Sequence, residues 1–302
     1  DEREWPLTLL LLGPRWLVLL PLIVLFPLIT LLRARLVPPL CLAGCLACCG
    51  LMGFQTPWPW RGGDAETPGA LCLVTCNVQG QSRYWQRVLQ LLEEHSPDVI
   101  ALQEVGSKDA SEVLLDALVG GTGFAAVDGW TCRRGGCDYG NVVLSRFPIV
   151  EAHRLDLTVR GREPRGALDV VASTPHGALR VIGTHLGLRP GERRAQVGRL
   201  LAALAGEVSL PTVLTGDVNE WYLWGRPLRW LHRRFAPTPA PATFPAWRPV
   251  LSLDRLWTQP ASLLTELRVH RSALARAASD HLPLVATLAM AATAVPSRDA
   301  GS

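Results

Sequence analysis

The feature that most limits what this chain can become is a repeated unit: a short apolar run that stops on a side chain carrying oxygen or nitrogen. "ALCLVTCN" stops at Asn77, "VIALQE" at Glu104, "RVIGTH" at His185, and "TVLTGDVN" at Asp217 and Asn219. Short, nearly continuous apolar runs read as strands covered on both faces. "GNVVLSRFPIV" reads as strand, turn and strand, and "ALDVVAST", "LSLDRLW" and "LPLVATLAM" as further strands. Helical spacing appears in two places. In "RYWQRVLQLLEEHSPD" it puts Tyr84, Trp85, Val88, Leu91 and Leu92 on one face, with Pro97 beyond the stop. In "RRAQVGRLLAALAG" it aligns Val197, Leu200, Leu201 and Leu204, and Gly206 is placed to end the helix. Many strands with few helices predict sheets packed on each other with helices outside.

The front of the chain is different. Trp16 to Leu32 and Leu36 to Phe54 are apolar runs without a charge, separated by Arg33-Ala34-Arg35. Each is close to the ~20 residues that cross a bilayer. The expectation is a membrane-anchoring helical hairpin over residues 1–54, flanked by Trp5, Trp16, Trp58 and Trp60 as interface aromatics. Arg33 and Arg35 favour a cytoplasmic connection, which puts everything after Phe54 outside the cytoplasm. Residues 55–69, rich in Gly and Pro, read as a linker, 70–290 as one globular domain, and 291–302 as a disordered tail.

Net charge is +4, and Lys108 is the only lysine, so the basic residues are nearly all arginine. A charge this small does not announce a nucleic-acid binder. Cys132 and Cys137 bracket "RRGG" and lean towards a disulfide in an oxidising space, with zinc as the rival use. Nothing in the sequence calls for an obligate protein partner.

The strand ends carry the chemistry. Besides the residues above, Asp254 begins "DRLW", and Asp280-His281 precedes the last strand. Singly, each has a plainer role: Asp254 as a partner for Arg255, His185 as a strand-end histidine, Glu104 as a turn carboxylate. Aligned on one rim, they suit phosphoester hydrolysis. Glu104 and Asp280 offer hard oxygen ligands for Mg²⁺ or Mn²⁺, an ion that polarises a phosphoryl oxygen. His281 paired with Asp254 is the candidate base, taking a proton from water. Asp217 and Asn219 would orient that water and hold a phosphate oxygen, and His185 would bond the phosphate or assist the leaving group. Arg165 would face the phosphate or pair with Glu163.

The blocks "CNVQG", "ALQEV", "GNVVLSRFPI", "GTHL", "TGDVNEW", "LDRLW" and "SDHLPL" occur in the order seen in the endonuclease/exonuclease/phosphatase superfamily, which this chain resembles from about residue 70 to 290. The resemblance implies the DNase I-like fold, an α+β four-layer α/β/β/α sandwich. It also implies metal-side roles for Asn77, Glu104 and Asp280, an Asp-x-Asn pair in Asp217 and Asn219, and a base in His281. Two positions depart from the family pattern: Gln79 stands where some members carry an acid, and "GDVN" replaces the usual "GDFN". The chain is most similar to bacterial membrane-associated members. The expected activity is Mg²⁺-dependent hydrolysis of a phosphate ester. A lipid-linked substrate beside the bilayer is favoured, with a surface nuclease or a non-catalytic membrane-anchored binding protein as the alternatives. "WYLWGRPLRWLHRRF", residues 221–235, reads either as an interfacial segment or as an amphipathic cap over the sheet.

Overall fold

Strand β1, Ala70–Asn77, sends Leu71 and Leu73 to one face and Cys72, Val74 and Cys76 to the other, and each face meets its own core. That is what its uninterrupted apolar run requires. The computed structural model describes Leu25, Gly120 and residues 69–80, 85–106, 123–134, 137–206, 210–222 and 224–290. The chain divides into two compact units, Asp1–Thr56 and Pro57–Ser302. The expected hairpin over 1–54 and the tail over 291–302 lie outside the described residues, Leu25 excepted. Among the described residues no helix is long and apolar enough to cross a membrane.

In chain order β1 is followed by α1 (Trp85–Glu93), β2 (Val99–Gly106), β3 (Ala125–Arg134), β4 (Cys137–Ser145), β5 (Ile149–Asp156), β6 (Gly166–Thr174) and β7 (Gly177–His185). Then come α2 (Pro190–Ala203), β8 (Thr212–Asp217), α3 (Arg226–Arg234), β9 (Asp254–Gln259), β10 (Leu264–Val269), α4 (Ala273–Ala278) and β11 (Leu284–Ala289). The strands form a six-stranded sheet, β10-β11-β1-β2-β4-β3, and a five-stranded sheet, β5-β6-β7-β8-β9.

Leu73, Ala101 and Val143 from the first sheet meet Val170, Val181, Val213 and Leu256 from the second in the core between them. On the outer face of the first sheet, Val88 and Leu92 of α1 and Ala278 of α4 cover Val74, Ile100 and Val142. Outside the second, Val197, Leu200 and the following Leu204 from α2, with Leu228 and Leu231 of α3, cover Ile182, Leu214 and Trp257. The layers are therefore helix, sheet, sheet, helix.

Three elements escape the periodicity of the sequence. Strand β3 lies in a Gly-rich stretch, and β10 and α4 are six residues each. Segment 221–235 contains α3, which buries Pro227, Leu228 and Leu231 and so caps the second sheet. The expected Cys132–Cys137 disulfide is not formed: Cys132 is a free thiol. The β3–β4 register explains this, since Cys132 stands opposite Tyr139 while Cys137 stands opposite Arg134.

Among the described residues only two strand pairs are parallel, β1 with β2 and β7 with β8. In the second pair Gly216 lies beside Thr184 with φ +136, and a Cβ there would stand 1.9 Å from the Thr184 carbonyl oxygen. Gly216→Ala is expected to lower unfolding free energy by about 3 kcal/mol. Urea melts of the two forms check this, and an unchanged midpoint would show that the strands can part to admit the methyl.

Candidate active site

The register of the two parallel pairs brings four strand ends to one edge of the sandwich. Asn77 pairs with Gln103, one residue before Glu104, and His185 pairs with Asp217. Antiparallel β9 starts at the same edge, with Asp254 opposite Asp217. Asp280 and His281 enter from the turn before β11.

Asn77 ties the sheets together: its Nδ2 donates to Glu104 Oε1 at 3.0 Å and to Asp217 Oδ2 at 3.1 Å. Its Oδ1 accepts the Gln79 backbone N–H at 2.9 Å. The amide therefore turns N–H groups towards the carboxylates and places Asn77 as a positioning donor, rather than presenting an oxygen to a cation. Asn219 donates from its backbone N–H to Asp217 Oδ1 at 2.9 Å, and from its side chain to the Leu186 carbonyl at 2.9 Å. Its Nδ2 also lies 3.1 Å from His185 Nε2. As an amide N–H can only donate, that contact assigns His185 the tautomer with its proton on Nδ1. His185 Nε2 stands 3.6 Å from Asp217 Oδ2 and 3.7 Å from Glu104 Oε1.

The second constellation joins Asp254 and His281. His281 Nδ1 is 2.8 Å from Asp254 Oδ2, which also accepts from Thr243 Oγ1 at 2.5 Å. His281 Nε2 then points at Asp217 Oδ2, 3.8 Å away. The Phe244 ring packs on the imidazole with centroids 4.8 Å apart. Ser279 Oγ donates to the Asn77 carbonyl at 2.6 Å and accepts the His281 N–H at 3.1 Å. Thr243, Phe244 and Ser279 are supports that sequence reasoning missed. Ser279 had a local signal, a hydroxyl two residues before the N–H it accepts. Thr243 had none.

Two backbones at this edge adopt left-handed conformations that non-glycine residues avoid, Glu104 at φ +57 and Asn219 at φ +49. Such positions cost ~1–3 kcal/mol each and concentrate at functional sites. Nearly everything here is buried: Asp217 and Asp254 are each 1 % exposed. Burial pushes the Asp217 carboxyl well above its ordinary range, and Asp254 adds to this against the opposing pull of His281 and Asn77. Burial likewise raises Asp280, helped by Glu104. For His281 burial works against the charge, but Asp254 and Asp217 outweigh it, and the imidazole is raised to about 10.

The donor set fits a divalent cation. Asp217, Asp254 and His281 offer ligand atoms all within 4.8 Å of one another, and Asp254 Oδ1 is buried without a hydrogen-bond partner. His281 Nδ1 and Asp254 Oδ2 are already engaged with each other, so that trio serves better as a proton relay. The carboxylates of Glu104 and Asp280 are the more open oxygen ligands at the same edge. Glu220, at the end of the opening motif, belongs elsewhere: it forms a buried pair with Arg193 at 3.2 Å. Arg165 lies just before β6, whose Ala167 pairs with Thr184, at the same end of the second sheet. It bonds Glu163 at 3.1 Å, while its buried Nε has no partner.

Residues 74–281 match the family model described as "Endonuclease/Exonuclease/phosphatase family". The uncharacterised protein YbhP of Escherichia coli K12 is 35 % identical over 161 residues, covering 50 % of this chain and 62 % of YbhP. The chain thus spans less than two thirds of that relative. Among solved structures, an endonuclease/exonuclease/phosphatase from Beutenbergia cavernae superposes with a TM-score of 0.60 at 21 % identity, over 72 % of this chain and 71 % of that one. The human Nocturnin catalytic domain with bound sulfate gives 0.59 at 18 % identity, over 77 % and 98 %. Likeness at these identities speaks for the fold alone. The fold, the rim and the matched span together place the chain in the endonuclease/exonuclease/phosphatase family.

Proposed function

We propose that the domain is a divalent-metal-dependent phosphoesterase that hydrolyses a lipid-linked phosphate. The observation that carries this is the Asp254–His281 pair, whose outward nitrogen faces the Asp217 carboxylate across 3.8 Å. A water between them lies within reach of both. His281 takes its proton, the water oxygen bonds to phosphorus, and the P–O bond to the leaving group breaks. Asp254, held by Thr243, fixes the tautomer and balances the imidazolium. Asn219 holds the neutral His185 ring at the phosphate edge through its Nδ2. Glu104 and Asp280 would hold a Mg²⁺ or Mn²⁺ ion, which when bound would neutralise charge on the phosphoryl oxygens.

Three features support the choice of substrate. The two uncharged runs before Phe54 fit a membrane anchor. Their Arg33–Arg35 connection supports an extracytoplasmic domain. A cavity of about 320 Å³ lined by Trp130, Thr131, Arg154 and Arg165 lies at the rim end of β6, with room for a group beyond the scissile phosphate.

The full chain in detergent, offered prenyl pyrophosphate, phospholipid, DNA and RNA with and without EDTA, should cleave a lipid substrate only when the metal is present. Cleavage of DNA alone would replace this reading with a nuclease, and no turnover by a folded chain would replace it with a binding protein. His281→Gln should lower kcat by ~10²–10⁴, and wild-type turnover in that variant would remove its assigned role. Arg165→Lys should raise KM more than it lowers kcat, because a forked contact is lost.

The metal-free protein should show a matching pH dependence. With its folded value raised from 6.5 to about 10, His281 favours folding fully below pH 6.5 and loses that contribution as pH climbs through about 10. Urea stability should therefore slope downward from pH 7 to 10, and less steeply in Asp254→Asn or with Mg²⁺ added. A slope indifferent to both would show that the imidazole does not hold the proton.

A further inference from the structure

Helix α3 caps the second sheet through one face, and its other face carries exposed arginines. Arg226, Arg229 and Arg233 are exposed and recur at i, i+3 and i+7, so they form one row. The helix contains no acidic residue, and its last turn adds His232 and Arg234. Among the described residues no ion pair involves Arg226, Arg229 or Arg233. The nearest acid in sequence, Glu220, is buried against Arg193. Among the described residues nothing thus compensates this concentration of positive charge.

Two neighbouring features add apolar surface to the basic row. Trp224, just before α3, is 50 % exposed. A groove of about 790 Å³ runs between α2 and α3, with Leu201, Ala205 and Trp230 on its walls and Arg233 and Arg234 beside them. An arginine row beside a tryptophan and a groove with apolar walls and arginines at its side matches the layering of a bilayer interface, where anionic head groups lie above the start of the acyl chains. Nucleic acid would match the charge but has no use for an aliphatic wall.

We propose that the outer face of α3 docks on anionic phospholipid, with Arg226, Arg229 and Arg233 against phosphate head groups and the α2–α3 groove admitting the apolar edge of a lipid. The start of α3 is pressed onto the residues leaving the catalytic edge: a Cβ on Gly225 would lie 2.5 Å from the Glu220 carboxyl carbon. Docking on this face holds that edge beside the head-group layer. Its value for catalysis rests on the phosphoesterase reading, whereas docking itself does not.

Hydrogen exchange of the Trp224–Phe235 segment tests this in the full chain reconstituted into phosphatidylcholine vesicles with or without phosphatidylglycerol. Exchange should slow only where phosphatidylglycerol is present, and high salt should reverse the slowing. The charge-reversed R226E/R229E/R233E chain should exchange at its phosphatidylcholine rate, because three arginines together contribute roughly a hundredfold to attraction by an anionic surface. R226K/R229K/R233K should keep the protection. Exchange of Thr212–Asp217 reports whether each variant is folded, and the lipid and salt comparisons on the wild type decide the matter even if one is not. Equal exchange in both vesicles would overturn the proposal, as would protection by single-stranded DNA but not by phosphatidylglycerol. Hydrolysis of a small soluble phosphodiester by the charge-reversed chain should be unchanged, so loss of catalysis and loss of docking are read separately.

Discussion

Two parallel strand pairs set everything at the catalytic edge. Antiparallel neighbours place the end of one strand beside the start of the next, whereas a parallel pair delivers both C-terminal ends to the same side. Here β1 with β2 delivers Asn77 and Glu104, and β7 with β8 delivers His185 and Asp217. The sheets pack face to face, so the two deliveries meet, and the Asn77 amide closes the gap by bonding one carboxylate from each sheet. Removing either parallel pair would leave polar strand ends facing no partner. The close approach of Gly216 to Thr184 shows how little slack the arrangement has.

The second support is a loop with no regular structure of its own. The segment around Thr243 and Phe244 is tied by backbone bonds at Leu251, at Asp280 through Ala246, and at Leu282. It gives the Asp254–His281 pair a hydroxyl below and a ring above. Both acid and imidazole are thus held in one rotamer by groups far away in sequence. Preorganisation of this kind lets a base act without first losing side-chain freedom.

These two supports were not equally legible in the sequence. The strand ends could be read because each functional side chain closes an apolar run, and a run buried on both faces admits a polar group only at its end. Thr243 could not, since "PATFPAW" has no periodicity and its bond to Asp254 depends on tertiary placement. The left-handed backbones at Glu104 and Asn219 were also hidden, because nothing in "ALQEV" or "GDVNE" announces a turn that puts φ above zero. Arg165 was legible in position but not in partner: the same residue lies at the rim end of its sheet and bonds Glu163. Strand β10 and helix α4 were too short for a repeat to show. Cys132 and Cys137 were misread because spacing along the chain says nothing about cross-strand register.

Electrostatics gives the arrangement its direction. Four carboxyls, those of Glu104, Asp217, Asp254 and Asp280, gather with two imidazoles, and among the described residues no arginine or lysine pairs with them. Isolated buried carboxylates are costly in a low-dielectric interior, and the protein's own answer is visible in the upward shifts of Asp217, Asp280 and His281. The shifts favour protons at the positions where positive charge is needed. In the proposed mechanism a divalent cation on the more open carboxylates would supply the same charge without using the imidazole, and His281 would then be free to accept a proton from water. On that reading, the same burial that makes the cluster costly as a set of anions would couple cation binding to the readiness of the proposed base.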